Sequence, residues 1–115
     1  MKAKIKERWV DALRSGQYEQ GQGLLRHTTP IGTQFCCLGV LCNLHAQAHP
    51  DIAAAQDHLS MYMGMTGSLP FAVMKWAGLP DSDPLIRLGK FRSLISANDG
   101  GQTFKQIADA IESQL

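Results

Sequence analysis

Cysteine and histidine are the side chains of this chain best suited to chemistry near neutral pH. They fall close together: Cys36, Cys37 and Cys42, then His45 and His49, with His27 a little upstream. Cys42, His45 and His49 are spaced i, i+3 and i+7, so one face of a continuous helix would offer three ligands to zinc. His49 directly precedes Pro50, however, which biases it away from helical geometry, and no CxxC or HExxH pattern accompanies it. A second enzymatic option is a nucleophilic thiol. Cys36 or Cys37 at a helix N-terminus would have a lowered pKa, and His27 would lie across a hairpin as the base. Against both options stands the setting. Phe35, Leu38, Val40, Leu41 and Leu44 surround the thiols, and a free cysteine in such company behaves as a small buried hydrophobe. Three cysteines, two of them adjacent, make no closed disulfide set. The expectation is reduced structural thiols, with no metal, no cofactor and no catalytic residue. GxSxG, Walker A and GxGxxG patterns do not occur.

Hydrogen-bonding chemistry concentrates in a different segment, QYEQGQGLLR from Gln17 to Arg26. Tyr18, Gln20, Gln22 and Arg26 alternate with Gly21 and Gly23, which puts polar side chains and approachable backbone beside an aromatic ring. With Arg14 on the preceding helix, these are the expected binding residues. Trp9 and Trp76 are expected as core anchors. Eleven Lys and Arg against ten Asp and Glu give a net charge of +1, which excludes a bulk-charge nucleic-acid neutraliser and an acidic DNA mimic alike. Lys2, Lys4, Lys6, Arg8, Arg14 and Arg26 are diluted by Glu7, Asp11 and Glu19. TFKQIADAIE is similar to the first helix of a helix-turn-helix unit, but Leu115 follows it with no recognition helix. Nucleic acid is not the expected partner.

These residues must be carried by a chain of 115 residues with 44% apolar and 18% charged content, a single domain of 1–115 with a core of its own. Ile5, Trp9, Val10 and Leu13 mark a helix over Lys4 to Ser15, stopped by Gly16. Gln17 to Gly23 is expected as an irregular connector. Short apolar runs, Leu24 to His27 and Thr33 to Cys36, flank a Pro/Gly turn and suggest a small β-hairpin. From about Phe35 or Cys37 to Ala48 the chain is apolar nearly all round, which at this length indicates a central helix ended by Pro50. Gly39 inside it is expected where another backbone comes close, since glycine costs a helix about 1 kcal/mol relative to alanine. MYMGMTG, around Met61 to Gly67, permits a short strand, and a helical remnant before it is equally open. A third helix is expected over Leu69 to Ala77, with Pro70 in its first turn and Phe71, Met74 and Ala77 on its buried stripe. Pro80 to Pro84 reads as a surface loop and Phe91 to Ala97 as a fourth short helix. Thr103 and Gln106 form a capping box for the last helix, buried through Phe104, Ile107, Ala108, Ile111 and Leu115. The expected fold is α+β and mostly α: four or five short helices around a central apolar helix, with one small antiparallel β-hairpin.

Four pieces stand in order: RWVDALRSGQYEQGQGLLR (Arg8 to Arg26), FCCLGVLCNL (Phe35 to Leu44), LPFAVMKWAGL (Leu69 to Leu79) and NDGGQTFKQIADAIE (Asn98 to Glu112). Together they resemble a family of small uncharacterised proteins encoded by bacteriophages, prophages and other mobile elements, and the FCCLGVLC core is their distinctive part. The resemblance implies a genomic setting and no particular catalytic or binding residue. By analogy, small phage accessory proteins without enzyme motifs act by binding. The leading expectation is therefore a non-enzymatic binder, an inhibitor of a host defence component of the anti-CRISPR or another anti-defence kind, with a host protein or complex as partner. The alternatives are a sponge for a small-molecule ligand such as a nucleotide signal, which needs a pocket of about 300 Å³ or more lined with Arg and Tyr, and a small Cys/His enzyme or metal protein. No stretch approaches the roughly 18 apolar residues of a membrane span, and Met1 to Arg8 lacks a signal-peptide core. A cytoplasmic location in a bacterial host cell, with no membrane partner, is expected.

Overall fold

A computed structural model of the chain describes residues 1–55 and 61–115. Any helical remnant over 56–60 lies outside the described residues. Helix α1 (Ala3–Arg14) buries Trp9, Val10 and Leu13 and ends at Ser15, with Gly16 in the left-handed region at φ +76°. Strands β1 (Glu19–Gln20), β2 (Arg26–Thr29) and β3 (Gly32–Phe35) follow. The expected hairpin is present as β2 and β3, turning tightly through Pro30 and Ile31. The connector before it is not wholly irregular, because β1 adds to the open edge of β3 in parallel. Pairing with a ready-made edge, continued by a 2.8 Å bond from Gly21 N–H to the Phe35 carbonyl, outweighs the poor strand propensity of a Gly- and Gln-rich segment.

Helix α2 (Cys37–Ala48) is the central apolar helix, and Cys37, Leu38, Val40 and Leu41 are inaccessible to solvent. A Cβ on Gly39 would fall on the Leu25 carbonyl, so the chain entering β2 approaches α2 backbone to backbone. Pro50 ends α2 and also opens α3 (Pro50–Ala55), where its missing N–H is harmless. The stretch from Met61 to Gly67 is a turn and not a strand: Tyr62 bridges to Met65 around Met63 (φ 50°) and Gly64 (φ 84°).

Helix α4 (Phe71–Ala77) starts later than expected, with Pro70 as its N-cap and Gly78 closing it in the left-handed region. Its buried stripe is Val73 and Ala77, while Phe71 is 73% exposed. The preceding Leu69, buried and bonded through its N–H to the Ser82 carbonyl, sets the rotation of the helix, so the buried positions run Leu69, Val73, Ala77. Pro84, expected on the surface, is buried where its carbonyl accepts from Leu94 N–H.

A second hairpin, β4 (Leu85–Leu88) and β5 (Phe91–Ser93), turns through Gly89 and Lys90 and replaces the first half of the expected fourth helix. Only α5 (Leu94–Asp99) is helical there, capped reciprocally by Ser93 and Ser96. Helix α6 (Phe104–Gln114) carries the expected Thr103–Gln106 capping box and buries Phe104, Ile107, Ala108 and Ile111. The fold is α+β and mostly helical, with two small sheets and one continuous buried cluster centred on α2. Among the described residues no helix is long and apolar enough to cross a membrane.

Candidate binding site

The thiols are packed into the core. Cys36, Cys37 and Cys42 are free and 5% or less exposed, and burial pushes the pKa of all three up. Cys36 does cap α2, its Sγ accepting from Gly39 N–H at 3.4 Å. That contact favours the thiolate less than burial disfavours it, so the activation expected of a helix-terminal nucleophile is not present. His45 is equally enclosed. Its Nδ1 lies 2.7 Å from the Tyr62 hydroxyl, and its ring stacks on His49 at 4.2 Å and meets Trp76 edge-on at 5.1 Å. Burial first, and His49 second, lower its pKa, while burial pushes Tyr62 up to about 12. His49 turns its Nδ1 to the His45 carbonyl, 2.8 Å away. Helical spacing thus brings the two histidines together as a stack. Among the described residues no group of three or more His, Cys, Asp or Glu could hold a metal ion.

At the opposite end of α2 lies a closed network of neutral amides. Asn98 is fully buried at the end of α5; its Oδ1 accepts from Cys37 N–H and Gln20 Nε2, and its Nδ2 donates to the Gly21 carbonyl at 2.8 Å. Gln20 also donates to the Gln102 carbonyl, and its Oε1 accepts from Phe104 N–H, so it caps α6 while sitting in β1. Trp9 Nε1 donates to the Cys37 carbonyl at 3.0 Å. One buried cluster therefore ties α1, β1, α2, α5 and α6 together. Nothing in the sequence marked Asn98 for this role: in NDGG it reads only as a helix terminator.

The five expected binding residues are dispersed. Arg14 is exposed but engaged, its guanidinium bridging to Asp109 at 2.6 Å and Glu112 at 3.0 Å across the α1–α6 contact. Those carboxylates raise its pKa, and Arg14 in turn lowers that of Glu112. Tyr18 is half-buried, packed edge-on against Phe35 at 5.1 Å and accepting from Asn43 Nδ2 at 2.7 Å. Its ring bridges β3 and α2. Arg26 lines a separate cleft beside Phe35, Asn43 and Tyr62.

Gln20 and Gln22 do meet. With Gly21, Gln34 and Gly101 they wall an open depression of about 340 Å³. Gln34 is held toward Glu19 by a 3.3 Å bond, Gly23 N–H donates to Asp99 Oδ1 at 2.9 Å, and Gln22 is exposed. The sequence pointed to Gln20 and Gln22 but not to Gln34 or Gly101, which β1–β3 pairing and the α5–α6 turn deliver. Neither of these two cavities combines the size with the Arg and Tyr lining expected of a nucleotide sponge: the cleft has Arg26 and Tyr62 but holds only about 60 Å³, and the depression at Gln20 has neither an arginine nor a tyrosine in its wall.

Fold and site define a small α+β domain with a closed amide core and an open, uncharged polar depression beside it. The chain belongs to the family described as a domain of unknown function, DUF8296, whose model matches residues 1–115. No curated protein and no solved structure matches it.

Proposed function

We propose that the protein acts by binding a macromolecular partner and not by catalysis, as an accessory protein of a phage or other mobile element directed against a component of host defence. The observation that carries the binding half is the depression at Gln20, Gly21, Gln22, Gln34 and Gly101. Gln20 is fixed from behind by Asn98, Gln102 and Phe104, so the wall is rigid, while Gln22 projects beside it. A preorganised wall of amides loses little entropy when a polar surface docks on it. The low exposure of the three thiols and of His45 supports the reading further, since it leaves them little contact with solvent. The mobile-element setting rests on the four sequence pieces from Arg8 to Glu112.

Affinity capture from a bacterial host lysate, wild type beside Gln22→Arg, tests the reading. One protein enriched by the wild type and lost by a Gln22→Arg variant of unchanged melting temperature is the expected result. A partner retained in full by Gln22→Arg overturns the site. One zinc per chain, or rapid labelling of Cys36 or Cys37 at neutral pH, overturns the preference for binding over catalysis.

A further inference from the structure

We propose that the β4–β5 hairpin is a docking edge for an extended, acidic segment of another protein, which pairs with the outer edge of β4 in place of the Gln114 side chain. A strand bonded on one side only presents backbone N–H and C=O groups that invite another strand. In β4 the inner edge pairs with β5. On the outer edge Arg87 N–H donates to Gln114 Oε1 at 2.6 Å, and the Arg87 carbonyl accepts from Gln114 Nε2 at 2.7 Å. Both bonds go to one residue of β4, the pattern a neighbouring antiparallel strand makes. The primary amide of Gln114 therefore stands where a backbone would stand. Arg87 and Gln114 are both exposed. An incoming strand would exchange like bonds for like and free a rotamer-rich side chain.

Charge and apolar surface indicate what that strand carries. Residues 85–93 include Arg87, Lys90 and Arg92 and no Asp or Glu. Lys90 lies over the Phe91 ring at 5.5 Å, and Arg92 reaches the Gly89 carbonyl at 2.8 Å. Arg87, Lys90 and Arg92 form no ion pair with any of the described residues. Leu85, Ile86, Arg87, Arg92 and Gln114 line a shallow depression of about 390 Å³, and Leu85 is 69% exposed beside the cations. A second copy of the chain would bring the same three cations against these, which like-charge repulsion opposes. Nucleic acid would use the cations but neither the strand edge nor Leu85. An extended peptide alternating carboxylates with apolar side chains uses all three features, by strand addition. This surface shares no residue with the Gln20–Gln22 depression.

The test is fluorescence anisotropy with a labelled peptide of alternating Glu and Val, its N-methylated form, a Lys-for-Glu form and a single-stranded oligonucleotide. Saturable binding of the Glu/Val peptide is expected. It should weaken at least about tenfold in Arg87→Glu/Arg92→Glu, where charge attraction becomes repulsion, and tighten in Gln114→Ala, where the competing amide is gone. The N-methylated and Lys peptides should not bind. Circular dichroism checks that the variants, changed only at exposed positions, stay folded. The proposal is overturned if the Glu/Val peptide binds neither wild type nor Gln114→Ala, or binds regardless of N-methylation. Preference for the oligonucleotide over the peptide, or dimerisation of Gln114→Ala, overturns it as well.

Discussion

At its N-terminal end α2 meets Trp9 and Asn98, the latter bonded in turn to Gln20; at its C-terminal end it meets Tyr62, Trp76 and its own stacked histidines. Both ends bury polar groups, and burial without partners would be costly at either. The first end satisfies them with neutral amides that do not titrate. The second uses a phenol and imidazoles, and the neutral form of His45 is the one that burial favours. One helix is thus anchored rigidly at one end and in a pH-dependent way at the other. The polar depression lies against the amide end, where Gln20 belongs to both.

The largest expected effect breaks the amide end. Asn98→Leu removes three bonds: it strands Cys37 N–H in the interior, leaves the half-buried Gly21 carbonyl without its donor, and leaves Gln20 Nε2 with the Gln102 carbonyl alone. At roughly 1 to 3 kcal/mol for each of the two groups left unpaired, the loss should be about 4 kcal/mol, read by urea denaturation. Leu41→Ala, between the two ends and fully buried, should cost roughly 3 kcal/mol through lost burial and the cavity left behind. If that loss is under about half a kcal/mol, in the range of ordinary surface changes, α2 is not the centre of the core.

The aromatic end should show itself by pH. The ordinary histidine value is 6.5 and that of folded His45 is lower, so between the two values the unfolded chain binds more protons. The stability contributed by neutral His45 is complete above pH 6.5 and is lost as pH falls through the depressed folded value. His45→Gln should flatten the decline in urea midpoint between about pH 7.5 and pH 5, the range in which histidine titrates. Asn98→Leu, which touches no titrating group, should leave the shape of that decline intact. The smallest change is expected from Arg14→Ala. Its ion pairs are exposed, so their contribution should be slight at low salt and vanish near 1 M, where screening acts over about 3 Å.

Several elements were legible because local chemistry is enough to specify them. The 3.6-residue spacing of Trp9, Val10 and Leu13, the Thr103–Gln106 box and the apolar run after Cys36 dictate α1, α6 and α2, whatever surrounds them. Gly39 announced a close approach, because a glycine there otherwise only weakens the helix; that the neighbour is Leu25 came from the fold. Pairing was less visible. LIRLGKFRS does carry a turn at Gly89 and Lys90 between short alternating runs, but the Phe91 to Ala97 stretch fits a helix equally well by composition, and Ser93 with Ser96 is a weaker cap signal than Thr103 with Gln106.

The candidate site divides in the same way. A place in the most apolar run of the chain was enough to bury the thiols, and neighbouring glycines were enough to set Gln20 and Gln22 beside flexible backbone. Which polar groups are engaged depended on long-range contacts. Arg14 is held by carboxylates 95 and 98 residues away, Tyr18 by Asn43 25 residues on, and Gln20 by Asn98 across 78. A hydrogen bond depends on two groups arriving at the same point, and a residue's type and immediate neighbours carry no record of a partner that folding brings from the far end of the chain.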